Sequence, residues 1–294
     1  METVDKYSGP AVALPLPCTP MPSTFAPEPE PVARPDGGWA NAMLDDLALV
    51  SHGENLFYGS TPDYFGDRIF GGFVVAQALA AAAATTTEIS AHSLHATFLA
   101  PVVAGPIEWR VERLRDGRSF ATREVSAWQH DRQRCKAIVS FHNDEPGDEY
   151  AMPMPVVAPP ESQPELIEPG GWDIRDLGPT PPRRDGTYES TSRSWRRMID
   201  AVDLPLHHQL FAAYLSDTTW SSFRPLSLGT RGAHTDASID HAVWLHRPLD
   251  VNTWIYADFE PVVNHGGRAL IRGRFFQHKQ LCMSMAQELL IREL

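Results

Sequence analysis

Cysteine is nearly absent from this chain, with only Cys18, Cys135 and Cys282 among 294 residues. An odd number at wide spacing is neither a disulfide framework nor a metal-ligand pattern, and a reducing compartment is the simpler setting. Long apolar runs are missing too. None reaches the roughly 18 residues that a membrane-spanning helix needs, so no membrane span is expected. The opening METVDKYSGPAVALPLPCTP lacks a basic stretch followed by an unbroken apolar one, and it is too poor in arginine for a transit peptide. The final Ile-Arg-Glu-Leu is neither a peroxisomal nor a full retention signal, which leaves the cytoplasm as the expected location. Basic charge is also short: 25 Lys and Arg stand against 37 Asp and Glu, for a net charge of −12. That balance argues against nucleic acid or an anionic membrane surface as a partner, although a local basic pocket for a small polyanion stays open.

Familiar catalytic signatures are absent as well. There is no His-Glu-x-x-His and no Cys-x-x-Cys, so neither a metal site nor a cofactor is expected. Ser238 has no Gly-x-Ser-x-Gly surround. Pairing Ser238 with His241 fares no better, because residues three apart on a regular strand face opposite sides. Asp240 and His246 share a strand face but stand roughly 20 Å apart. The histidines read as structural.

Proline, by contrast, is plentiful, with 26 residues. It crowds residues 1–38, which read as an extended or disordered arm, and again 143–194, which read as a linker laid between two folded parts. The parts themselves, 39–142 and 195–294, look alike. In the first, the alanine-rich helix RIFGGFVVAQALAAAAATT is followed by HSLHATFLAP, GPIEWRVERLRDG, RSFATREVSAWQHD and RQRCKAIVSFH, four segments of strand formers bounded by turn signals. In the second, LPLHHQLFAAYLSD is followed by ASIDHAVWLHRP, NTWIYADFEPVVN, RALIRGRFFQH and LCMSMAQELLIRE. Pro101 answers Pro248 and Cys135 answers Cys282 at an offset of about 147 residues, the scale of a duplicated domain rather than a solenoid repeat. One helix followed by an antiparallel meander predicts an α+β fold in which a sheet wraps a central helix. Two copies would associate edge to edge.

Differences between the copies point to chemistry. With Gln77 aligned on Gln209, Asp217 falls opposite Thr85; at the 147 offset Ser238 falls opposite Ala91 and Gln287 opposite Ser140. Only the second copy has a carboxylate at these places. Gln287 shares a strand face with Met283, Met285, Leu289 and Ile291, where an amide must find partners or cost roughly 1–3 kcal/mol. It either caps a core backbone group or meets Asp217 and Ser238. Asp217 itself could equally be a turn residue or the next helix cap.

These motifs, from about Tyr58 to Arg292, resemble the type II acyl-CoA thioesterases, and they do so on RIFGGFVVAQAL, HSLHATFLAP, LRDGRSFATREVSAWQ, HHQLFAAYLSD, ASIDHAVWLHRP and AQELLIR. The resemblance implies a tandem (double) hot-dog fold, two antiparallel sheets each wrapped around a central helix. It implies an enzyme that hydrolyses acyl-CoA thioesters, with acyl-CoA as the partner molecule and pairing into a homo-oligomer of two double hot-dog chains. Asp217, Ser238 and Gln287 match the family's water-holding catalytic residues, while Gly71, Gly72 and Phe73 match a stretch near the ligand. Phe73 departs from the family's usual Gln there. A non-catalytic acyl-CoA-binding protein is the alternative if Phe73 or the linker closes the site. Arg183, Arg184, Arg193, Arg196 and Arg197 form either a patch for coenzyme A phosphates or a solvated basic run.

Overall fold

The computed structural model describes residues 35–87, 89–168, 170–181, 192–218 and 234–293. Residues 1–34 of the proline-rich arm, Arg183 and Arg184 lie outside them. The first half of the chain gives α1 (Trp39–Leu47), β1 (Val50–Ser51), β2 (Leu56–Thr61), α2 (Gly71–Ala83), β3 (Ser90–Phe98), β4 (Gly105–Asp116), β5 (Phe120–Gln129) and β6 (Arg132–His142). The second gives β7 (Leu166–Glu168), β8 (Trp172–Asp176), β9 (Ser192–Met198), α3 (Pro205–Ser216), β10 (His234–Leu245), β11 (Ile255–His265), β12 (Arg268–Gln277) and β13 (Gln280–Glu293). No helix among the described residues is long and apolar enough to cross a membrane.

The expected pair of antiparallel sheets, each wrapped around a helix, is present, and the two run into one another. Strands follow the order β1-β2-β4-β5-β6-β3-β10-β13-β12-β11-β9-β8-β7 in a single 13-stranded sheet. The seam is the antiparallel pair β3–β10, with Ser93 opposite Trp244 and Thr97 opposite Asp240. Strand alternation sets the inner face: Ala121, Arg123, Val125, Ala127 and Gln129 of β5 are buried in turn. Against β3 to β6 packs α2. Gln77 apart, it is apolar all round because it is buried nearly all round, from Gly72 to Leu79 and again at Ala81 and Ala82. α2 also touches α3, and Gly72 marks the contact: a Cβ there would lie 2.4 Å from the Tyr214 carbonyl oxygen.

The duplication shows in repeated hydrogen bonds. Gln129 Nε2 donates to the Val103 carbonyl at 2.9 Å while its Oε1 accepts from Val103 N. Gln277 does the same with Asp250, donating at 2.7 Å. Each glutamine precedes a two-residue hairpin whose turn residues have positive φ: His130 and Asp131 in one, His278 and Lys279 in the other.

Strand register corrects the expected correspondence by one residue. Leu94 pairs with Val139, and His241 pairs with Gln287. The counterpart of Gln287 is therefore Val139, not Ser140. Likewise Phe98 pairs with Cys135 where Leu245 pairs with Met283, so the two cysteines do not correspond. With a side-chain period of two, such a slip moves a residue to the other face. Ser140 accordingly bonds His92 at 2.9 Å, away from the α2 side.

Five strands were not expected, β1, β2, β7, β8 and β9, and of these β2 and β9 each precede a central helix. β2 is interrupted by Gly59, and β9 (SRSWRRM), at the end of the proline-rich stretch, carries three arginines but buries Ser192, Ser194, Arg196 and Met198 in period-two alternation. That stretch also holds β7 and β8, and Ala158 accepts a hydrogen bond from Trp195 Nε1 at 2.8 Å.

Candidate active site

Asp217 is the residue that ends α3, with φ −91° and ψ 3°, and only 4% of it is exposed. Gln287 lies on β13 and is wholly buried. Its side-chain nitrogen donates to Asp217 Oδ1 and, at 2.8 Å, to Ser238 Oγ. Both amide hydrogens are thus spent on the two candidates. The structure brings all three residues together, so Gln287 is not simply capping a core backbone group.

Ser238 reaches this cluster through a bulge in β10. It pairs with Leu289, the next pair is Asp240 with Glu288, and Ile239 is skipped. A bulge resets strand parity. Ser238 and His241, expected on opposite faces, therefore both point inward. They still form no dyad, since His241 Nε2 lies 2.7 Å from Ser216 Oγ and Nδ1 faces Asp217 Oδ1 at 3.8 Å. His241 is a neighbour of the cluster that sequence alternation hides. Asp240 points elsewhere and accepts from the Glu288 backbone.

Electrostatics around the cluster are those of a dry site. Burial pushes the His241 imidazole down to about 3, with the adjacent Gln287 amide acting in the opposite sense. Tyr214, one turn before Asp217, is raised above its ordinary range by burial and then by the Glu168 and Asp217 charges. Arg196 comes in from β9; burial lowers it to about 10. It donates to Thr218 Oγ1, and Thr218 in turn donates to the Leu215 carbonyl at 2.7 Å. A buried cation thus braces the helix end that carries Asp217, where the helix dipole favours positive charge. The α2 end is braced from another strand. Arg123 on β5 is 1% exposed and donates to Thr85 Oγ1 at 2.7 Å and to the Thr85 carbonyl.

A cavity of about 500 Å³ opens onto the cluster, lined by Asp217, Ser238 and Gln287 and by apolar groups including Phe70, Val74, Phe98 and Leu289. Gly71, at the start of α2, lies on this cavity. A Cβ there would stand 2.5 Å from Asp217 Oδ2. Gly72 and Phe73 do not line it. Gly72 serves the α2–α3 contact, and Phe73 is fully buried against Phe65, with ring centroids 5.8 Å apart. Phe73 therefore leaves the cavity open. The arginine patch is also dispersed: Arg193 bonds the carbonyls of Gly178 and Pro179, Arg196 turns inward, and Arg197 pairs with Asp173 at 3.0 Å. Among the described residues no group of three or more His, Cys, Asp or Glu is placed to hold a metal ion.

Residues 61–142 match the family described as acyl-CoA thioesterase N-terminal domain, and residues 176–290 match the family described as acyl-CoA thioesterase. The chain is 33% identical over 279 residues to acyl-CoA thioesterase 2 of Haemophilus influenzae, covering 86% of this chain and 97% of that one. It is 30% identical over 289 residues to human acyl-coenzyme A thioesterase 8, covering 84% and 87%. Among solved structures, an acyl-CoA thioesterase II from Mycobacterium marinum superposes with a TM-score of 0.74 at 33% identity, covering 86% of this chain and 98% of that one. A hot-dog protein from Alicyclobacillus acidocaldarius, 18% identical, superposes at 0.72 over 86% of this chain and 98% of its own, a likeness of fold.

Proposed function

The chain belongs to the acyl-CoA thioesterase family and hydrolyses acyl-CoA thioesters, and on that premise we propose that Asp217, Ser238 and Gln287 hold and activate the attacking water. The observation that carries this reading is the Gln287 amide bridging Asp217 and Ser238 at the wall of an apolar cavity. A thioester carbonyl is electrophilic enough for direct attack by a positioned water, so no covalent intermediate is required. Asp217 takes one proton from the water as its oxygen bonds to the carbonyl carbon. Ser238 and Gln287 orient that water, which converts an encounter into an aligned attack. The tetrahedral oxyanion then collapses, the carbon–sulfur bond breaks, and the proton on Asp217 passes to the departing thiolate of coenzyme A. The oxyanion would be met by backbone N–H groups at the start of α2, where Gly71 lets the chain approach closely.

On this reading 195–294 is the catalytic copy and 39–142 the supporting one, with 143–194 linking them and residues 1–38 as an arm. Val139, standing where the second copy has Gln287, supports that division. Cytoplasmic location rests on the free, buried Cys135 and Cys282. A homo-oligomer of two such chains is supported by exposed apolar side chains on the strands, among them Trp244 and Val263. Sedimentation velocity tests it.

The deciding experiment follows thiol release with a thiol-reactive dye across acyl-CoA lengths from C2 to C18, with wild type and Asp217→Asn side by side. Asp217→Asn should lose at least about 10²-fold in turnover, as expected for a general base. Near-normal turnover would remove Asp217 from this role.

A further inference from the structure

We propose that His241 is a positioning residue for Asp217: anchored through Nε2 by the Ser216 hydroxyl, it presents Nδ1–H to the carboxylate and holds it ionised and oriented. This deepens the catalytic reading of Asp217 and rests on it.

Geometry carries the argument. His241 is 0% exposed. Its Nε2 sits 2.7 Å from Ser216 Oγ, while Nδ1 lies 3.8 Å from Asp217 Oδ1 with no well-formed hydrogen bond among the described residues, the Gln287 side chain being the other polar group beside the ring. A buried polar nitrogen without a bond is costly, and such atoms are few in folded proteins. This one is aimed at the reacting carboxylate. The pairing pattern points the same way. His241 and Gln287 face each other across β10 and β13, where the first half has Leu94 facing Val139. The polar pair exists only in the half that carries Asp217.

The tautomer follows from the single hydrogen on Ser216. That hydrogen goes either to the Ala213 carbonyl, 2.7 Å away, or to His241 Nε2. In the first case the Nδ1 lone pair would confront a carboxylate in a dry interior, which is repulsive. In the second, Nδ1–H faces it, which is attractive and favours the ionised acid. Burial keeps the ring neutral across the working range, so it acts as a fixed donor rather than a competing base. Other elements around the site add few charges. β3 presents Ala96 beside His241 and β13 presents neutral Gln287. Tyr214 on α3 is held in its protonated form, while Glu168 of β7 acts on Tyr214 and Arg196 of β9 on Thr218.

The test is the pH profile of kcat/KM for thiol release in wild type, His241→Leu, His241→Asn, Ser216→Ala and Asp217→Asn, each checked for folding by circular dichroism. The acid limb reports the base in the free enzyme. Losing a donor to the ionised form raises that pKa, so His241→Leu should move the limb up by about one pH unit. His241→Asn places an amide N–H near the Nδ1 position and should return the limb to the wild-type position. Ser216→Ala releases the ring and should move the limb upward by less, and it reads the same effect if His241→Leu does not fold. Unshifted limbs in His241→Leu and Ser216→Ala, with Asp217→Asn inactive, would overturn the role of His241 alone. An active Asp217→Asn would instead remove the catalytic reading on which that role rests.

Discussion

Gly71 and Asp217 meet across the two halves of the chain: a Cβ on Gly71 would stand 2.5 Å from Asp217 Oδ2 and 3.3 Å from Ser238 Oγ. The first residue of α2 is therefore glycine for the sake of a carboxylate carried by α3. Gly71→Ala should keep the fold, since the backbone there is helical and alanine favours helix. Turnover should fall on the order of 10²-fold, because the carboxylate and serine must retreat from their aligned positions. Steady-state kinetics beside a melting curve decides it. Unchanged turnover would mean that the close approach is not part of the chemistry.

Toward Asp217 and Ser238, Gln287 acts as a donor, so its acid counterpart inverts the local field. In Gln287→Glu two carboxylates would share a buried site, and one proton would be retained between them. The acid limb of the pH profile should rise by more than one unit, with turnover near pH 7 down on the order of 10²-fold. A profile superimposable on wild type would show that Gln287 does not touch the base in solution.

Arg123 tests the asymmetry of the two halves. Its guanidinium is buried on the Thr85 hydroxyl and carbonyl and also reaches Asp116 at 2.5 Å. Arg123→Met should destabilise the fold by about 3 kcal/mol, the scale of breaking a buried charge network. Thr85 follows the far end of α2 from Gly71, roughly 20 Å away by helical rise. Turnover of the folded fraction should therefore stay within about twofold of wild type, a shift worth under half a kcal/mol in the barrier. Urea denaturation and thiol release on the same samples separate the two effects.

His241 also predicts how stability depends on pH. Its ordinary value of 6.5 falls to about 3 in the folded chain. Between those values the unfolded chain binds a proton that the folded chain refuses, so stability is full above pH 6.5 and declines as pH drops toward 3. The slope is about 1.4 kcal/mol per pH unit for one proton. His241→Asn removes this proton, and its stability should fall less steeply than wild type between about pH 6 and pH 4 by that amount. Parallel urea-denaturation curves would contradict it.

Much of this architecture was legible in the chain, and for physical reasons. Period-two alternation marked the long strands, and the alanine-rich run marked a helix buried on all sides. Asp217, Ser238 and Gln287 stood out from comparing the two copies and from the family resemblance, and Gln287 also because an amide on an apolar face needs partners. What stayed hidden depended on register. Skipping Ile239 reverses strand parity, so His241, assigned to the wrong face by counting, belongs beside Asp217. The same one-residue sensitivity made Ser140 look like the partner of Gln287 when Val139 is. The family resemblance implied ligand contacts for Gly71, Gly72 and Phe73, yet on a helix adjacent residues diverge, and of the three only Gly71 reaches the cavity. β2 and β9 escaped because a glycine and three arginines dilute their strand character.

The two helices of the site belong to one polymer, and the seam between β3 and β10 holds their halves together. Had Gly71 and Asp217 belonged to separate chains, the completed site would exist only in proportion to their association and would vanish on dilution. Covalent linkage through residues 143–194, reinforced by the backbone ladder from Ser93 to Thr97, turns that association into an intramolecular contact. The proposed site is thereby brought together within one chain, by folding rather than by encounter.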